Sequence, residues 1–212
     1  MTDKAKASRE KILLNEESFS YLFFEGSSSQ NPIIFFHATG LNAATYLNLL
    51  TKIFEDFDGE RSIYAFDQRG HGLSAAEADH TKLKSWKQFS KEAISFLNSL
   101  DHESVDLMGH SMGGIVASEV ASQLKLKVQN LIMLEPVLYY APKDVIKLKL
   151  KNFLKFDDLS ASNKSSSAKQ RRNNFASFEE AIEHFTGRAM FASWPEESIM
   201  NYLEGGLVKK EG

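Results

Sequence analysis

The chain has 212 residues, 42% of them hydrophobic and 25% charged, which are ordinary proportions for one soluble globular domain with or without an elaboration. Its 25 Lys and Arg against 28 Asp and Glu leave a formal net charge of -3, without the basic excess that a general nucleic-acid binder sets against a polyanion. There is no cysteine. That excludes disulfides, thiolate metal sites and a cysteine nucleophile, and leaves Ser, Thr, Asp, Glu, Lys or Tyr for any nucleophilic chemistry.

The N-terminal residues carry charge at Lys4, Lys6, Arg9 and Glu10, with no apolar stretch behind them of the kind a signal peptide needs. No later apolar run reaches membrane-spanning length, so a cytoplasmic protein is expected. Residues 19–24 (Phe-Ser-Tyr-Leu-Phe-Phe) predict a β-rich opening segment, and residues 32–36 (Pro-Ile-Ile-Phe-Phe) a short strand covered on both faces. Tyr46, Leu49, Leu50 and Ile53 recur at three- and four-residue spacing and predict a helix over 43–57, followed by a strand at 61–66. The unit then repeats. Trp86, Phe89, Ala93, Leu97 and Leu100 share one helical face, residues 105–108 form the next strand, 115–124 a helix and 131–134 another strand. Strands joined through helices run parallel, so the pattern predicts an α/β fold.

Beyond Glu135-Pro136 the alternation stops and helical or irregular segments are expected. Residues 157–176 are polar, Ser-rich and locally basic through Lys164, Lys169, Arg171 and Arg172; a solvated loop or exposed helix face is expected rather than an anion-binding patch. The glycosylation triplet at Asn163 has no secretion signal to give it meaning.

The sharpest local feature is Gly109-His110-Ser111-Met112-Gly113-Gly114, between a predicted strand and a predicted helix. A serine on a tight strand-to-helix turn needs neighbours without bulky side chains, and the turn pushes Oγ outward. The same turn sets Ser111 at a helix N-terminus, where the Met112 N–H and the helix dipole favour developing negative charge. Two companions sit upstream, each directly after a predicted strand: His37-Ala38-Thr39-Gly40 and Asp67-Gln68-Arg69-Gly70-His71-Gly72-Leu73-Ser74. Ligands gather at such strand ends in an open parallel sheet.

These three motifs, in this order, resemble the α/β-hydrolase fold family over residues 17–140. The later stretch, with Arg171 to Ala181 and Trp194-Pro195, resembles the helical cap that some members carry. The resemblance implies a mostly parallel sheet with helices on both faces and a partial helical cap, with residues 1–140 as core and 141–212 as cap and incomplete C-terminal core. It implies Ser111 as nucleophile and the Met112 N–H as one oxyanion donor, with the second from the backbone of Thr39 or, next, Ala38. Ala38 stands where the commoner pattern has glycine. His37, Ala38 and His110 are expected to flank the substrate, and Asp67, Arg69 and His71 to stabilise turns. Glu135 is the candidate acid. His184 is the only histidine after Ser111 and is expected on a lid helix rather than as the base.

The activity implied is hydrolysis of an ester, thioester or related small-molecule acyl substrate through an acyl-serine, with no metal or organic cofactor. The alternative is a non-catalytic relative or fragment that binds an apolar ligand or partner protein. The family's later strands and terminal histidine loop are not visible before Gly212, so a fragment or short form with little esterase activity of its own is expected. Its last sheet strand would then offer an unpaired edge for self-association. Phe185, Met190, Phe191, Trp194, Met200 and Tyr202 supply aromatic and thioether surface for an apolar pocket or for packing within the cap.

Overall fold

The computed structural model describes residues 7–79, 83, 85–137 and 172–209. β1 (Ser8–Leu14) and β2 (Glu17–Phe24) pair antiparallel, with Leu14 opposite Glu17. The two residues between them, Asn15 and Glu16, both take positive φ, 49° and 69°, the backbone that follows the natural twist of a two-residue hairpin. β1 is an addition to the sequence reading, which stopped at the β2 segment because Arg9, Glu10 and Lys11 interrupt any apolar pattern. The strand lies at the sheet's edge, where charged side chains guard against unwanted pairing.

The remaining strands are β3 (Ile33–Phe36), β4 (Ile63–Phe66), β5 (Ser104–His110) and β6 (Lys127–Leu134). Together they form one sheet in the order β1-β2-β4-β3-β5-β6. β2 meets β4 antiparallel, and the β4-β3-β5-β6 ladder is parallel. Its crossovers are α1 (Leu47–Asp56), α2 (Lys87–Ser99) and α3 (Met112–Gln123). The predicted helix over 43–57 divides into a 3-10 turn, Ala43–Tyr46, and α1. The turn is capped by Asn42, whose side chain accepts from Thr45 N while Thr45 Oγ1 accepts from Asn42 N.

Alternation along the strands sorts the core onto two faces. Ile34, Phe36, Phe66, Val105 and Leu107 pack against Phe89, Phe96 and Leu97 of α2 and Val116 and Val120 of α3. Ile33, Phe35, Ile63, Ala65 and Met108 pack on the other face with Leu50 of α1. All four residues of β3 are buried, each contributing about 1.5–3 kcal/mol of transfer free energy. The architecture is that of the α/β-hydrolases: a mostly parallel sheet with helices on both faces.

β6 begins four residues earlier than the apolar run suggested, since Gln129 and Asn130 are polar strand residues; Asn130 Nδ2 donates to Asp106 Oδ1 at 2.9 Å. It is the outermost parallel strand among the described residues, with Leu131, Ile132 and Met133 38–44% exposed.

After β6 come α4 (Phe178–Phe185), a 3-10 turn (Ala189–Phe191) and α5 (Glu196–Glu204). They enclose a small core of their own, in which Phe185, Phe191, Trp194 and Tyr202 meet ring to ring. Packing within the helices therefore accounts for these four side chains. The Arg-Arg-containing run is explained by local structure where it is described: Arg172 pairs with Glu180 and stacks on Phe175, while Ser177 caps α4. Residues 138–171, including Lys164, Lys169, Arg171 and the Asn163 triplet, lie outside the described residues. α5 rests on the Asn42 turn: Asn42 Nδ2 donates to Tyr202 O at 2.8 Å, and Asn201 Nδ2 to Asn48 Oδ1 at 3.1 Å. Among the described residues no helix is long and apolar enough to cross a membrane.

Candidate functional site

Ser111 links β5 to α3 with φ 52° and ψ -113°, a backbone region that L-residues avoid. The surroundings hold it there. A Cβ on Gly113 would fall on the Phe36 carbonyl, and one on Gly109 on the Gly113 carbonyl, so α3 sits directly against the end of β3 only because both positions are glycine. The Ser111 N–H donates to Leu134 O at 2.9 Å, tying the turn to the end of β6. Ser111 is the N-cap of α3, yet its side chain makes no capping bond, so Oγ is left without a partner among the described residues. The helix begins at Met112, three residues before the sequence expectation, which makes the Met112 N–H one of the helix's unpaired first-turn donors.

The turn after β3 is pinned from several sides. His37 is fully buried: Nε2 accepts from Gln68 N at 3.0 Å, and Nδ1 donates to Ala38 O at 2.9 Å. Burial, with His71 close by, pushes its pKa down to about 3, so it remains neutral as both bonds require. Gln68 Nε2 returns a bond to His37 O. Ala38 O also accepts from Leu41 N at 3.2 Å. With Ala38 O held by two donors, the planar Ala38–Thr39 peptide is fixed, and the Thr39 N–H points the opposite way. Ala38 N–H donates to Tyr46 Oη, and Gly40 N–H to His71 Nε2 at 3.0 Å. Thr39 is exposed, and its N–H is the amide of residues 38–40 without a partner among the described residues. Its side chain reaches Met112 Sδ at 3.1 Å, so this turn and the Ser111 turn adjoin.

The three residues expected to flank the substrate are each engaged within the protein. His37 has no ring nitrogen left for a ligand and is a support for the turn. Ala38 is buried with its N–H already bonded. His110 is half-buried and shares a 2.7 Å hydrogen bond through Nδ1 with Tyr46 Oη, a partner the sequence reading missed.

The Asp67 motif stabilises the scaffold. Asp67 is fully buried and gathers Arg9, Ser20 and the Ala43 N–H at 2.5–2.7 Å; desolvation pushes its pKa up against those partners. Gly72, with φ 58°, is glycine because a Cβ there would meet the Asp67 carboxylate. Arg69 joins Glu17, Glu92 and Glu77 O, and its pKa is raised, chiefly by the bond to Glu17. A cavity of about 640 Å³ lies beside Arg69, lined by Glu17, Glu77, Lys87 and Lys91 among others, and includes no residue of the 37–40 or 109–114 turns.

No described histidine hydrogen-bonds Ser111. His71 donates through Nδ1 to Arg69 O, and burial lowers its pKa. His102 bonds Tyr64 Oη before β5 begins, at the opposite end of that strand, seven residues or about 23 Å long, from Ser111. His184 sits in the last turn of α4 between Phe175 and Phe185, with Arg188 on Nδ1. His80 lies outside the described residues. Glu135 is exposed, has φ 41° and directly follows Leu134, whose carbonyl receives the Ser111 N–H. Among the described residues no group of three or more potential ligand side chains could hold a metal ion.

Residues 27–194 match the family model described as serine aminopeptidase, S33. The 1-acylglycerol-3-phosphate O-acyltransferase ABHD5 of Rattus norvegicus is 28% identical over 121 residues, covering 56% of this chain and 33% of that protein. The protein phosphatase methylesterase 1 of Saccharomyces cerevisiae is 29% identical over 119 residues, covering 49% and 30%. The chain spans about a third of the length of these curated relatives. Among solved structures, the hypothetical protein PA1622 of Pseudomonas aeruginosa PAO1 superposes with a TM-score of 0.66 at 25% identity, covering 94% of this chain and 65% of that one.

Proposed function

The chain belongs to the serine aminopeptidase S33 family of α/β-hydrolases, and from that membership we propose that it acts on an ester or thioester through an acyl-Ser111 intermediate. The observation that carries the reading is Ser111 itself. A side chain held at φ 52° by two close glycine contacts, with Oγ unpaired at a helix N-terminus, is a costly arrangement without value to packing. The Met112 and Thr39 N–H groups serve as the donors for the acyl oxygen, since both are backbone N–H groups without partners on adjoining turns. Glu135 is the acid of this reading, by its place at the end of β6 beside the residue that bonds Ser111 N. The rat relative is an O-acyltransferase and the yeast relative a methylesterase, which favours an oxygen ester.

The experiment is labelling with a p-nitrophenyl phosphonate, followed by intact mass and phenolate release. The wild-type protein should gain one phosphonyl group on Ser111, and Ser111→Ala should gain none while unfolding at the same denaturant concentration. Equal labelling of both would remove Ser111 from the mechanism. A second reading, a non-catalytic relative that binds an apolar ligand or a partner, draws on the lack of any described histidine bonded to Ser111; an unlabelled wild-type protein would favour it.

A further inference from the structure

Tyr46 ends the 3-10 turn that Asn42 caps, and its ring packs on Phe35 with centroids 4.6 Å apart, so both the backbone and the sheet face place its hydroxyl. That hydroxyl has two partners drawn from different parts of the site. Ala38, 6% exposed, lies beyond the end of the β3 ladder, and a buried N–H there needs an acceptor; Tyr46 Oη supplies it at 3.2 Å. With the Ala38 N–H on its oxygen, the phenol still has a proton to give, and His110 Nδ1 lies 2.7 Å away on the residue next to Ser111. Burial pushes the Tyr46 pKa up to about 12, so the proton stays on the phenol at neutral pH.

We propose that Tyr46 is a positioning residue for the acyl-oxygen site: by taking up the Ala38 N–H and holding His110, its hydroxyl leaves Thr39 N–H as the one amide of residues 38–40 free to join Met112 N–H. The proposal rests on the acyl-serine reading above. Removing the hydroxyl releases two groups at once. A buried Ala38 N–H then seeks a new acceptor, and the His37–Ala38 peptide, one before the peptide that carries the Thr39 N–H, loses its Tyr46 anchor. His110 Nδ1 loses its donor, which loosens the end of β5 next to Ser111. Donors for the acyl oxygen act most strongly on the negative charge that develops in the transition state, so the loss falls on turnover rather than on binding.

Tyr64 offers a matched control, because its hydroxyl also bonds a histidine, His102 Nε2 at 3.2 Å, at the opposite end of β5 from Ser111. Tyr46→Phe and Tyr64→Phe are compared for p-nitrophenyl acetate turnover, for the rate of Ser111 phosphonylation and for urea unfolding. Removal of an oxyanion donor costs about a hundredfold to a thousandfold, and its misplacement should cost about tenfold to a hundredfold. The expected result is a fall of that size in kcat and labelling rate for Tyr46→Phe, with KM within about twofold, while Tyr64→Phe keeps both rates. Wild-type rates in Tyr46→Phe would overturn the assignment and leave the acyl-serine reading standing; equal losses in both variants would reduce Tyr46 to general packing and overturn it too. If the wild-type Ser111 itself fails to label, the acyl-serine reading falls and the assignment falls with it, an outcome distinguished by the inert parent. Should Tyr46→Phe fail to fold, ¹⁵N spectra of wild-type histidines decide: His110 must be the Nε2–H tautomer, and an Nδ1–H tautomer overturns the proposal.

Discussion

The neutral, fully buried His37 makes the stability of this chain depend on pH in a way that can be calculated. The unfolded imidazole takes a proton with the ordinary pKa of 6.5, whereas the folded one does so only near 3. Between those values the unfolded state binds more protons than the folded state, so folding is favoured as pH rises and weakened as it falls. The contribution is present above pH 6.5 and is lost as pH falls towards 3. Over the full window the loss is about 5 kcal/mol at 1.36 kcal/mol per pH unit, and between pH 7 and pH 5 it is about 2 kcal/mol. That narrower window lies above the ordinary titration range of carboxylates. His71, 5.0 Å away ring to ring, is also lowered by burial and adds to the slope of the parent protein. A difference measurement cancels it. In His37→Gln the amide can still accept from Gln68 N but does not titrate, so urea-unfolding free energies of the two proteins should converge by about 2 kcal/mol from pH 7 to pH 5. Parallel curves across that range, or a wild-type His37 that titrates near 6.5 by NMR, would show that His37 is not held neutral by burial.

Gly113→Ala drives a Cβ into the Phe36 carbonyl, a backbone atom at the centre of the sheet, and should cost about 3 kcal/mol or more, the upper end of overpacking. Urea unfolding checks it, and a loss below about 1 kcal/mol would mean that α3 can move off β3 without penalty. Among the described residues β6 has no strand on its outer edge, and Leu131, Ile132 and Met133 are partly exposed, so light scattering should show mass rising with protein concentration, and Ile132→Lys should suppress the rise. A parent protein that stays monomeric at high concentration would refute association through this edge.

The α/β class, the parallel direction of the central strands and the three motifs at strand ends were all legible in the residue pattern. These are local properties: a four-residue apolar run such as Ile33 to Phe36 suits a strand buried on both faces, three- and four-residue spacing in α2 makes one apolar stripe, and the glycines around Ser111 permit one tight turn. Charge hid β1, and two polar residues hid the first half of β6, because at a sheet edge pairing outweighs the apolar pattern by which strands are read. Which amides near Ser111 remain free was decided only by tertiary structure. The Tyr46–His110 bond spans 64 residues and the His37–Gln68 bond 31, and no periodicity or spacing encodes a side-chain hydrogen bond to a group so far away in the chain. The aromatic residues of α4 and α5 are a further case. Composition supplies the rings, but whether they line a pocket or pack on each other depends on how the helices meet, and in the fold Phe185, Phe191, Trp194 and Tyr202 close on one another.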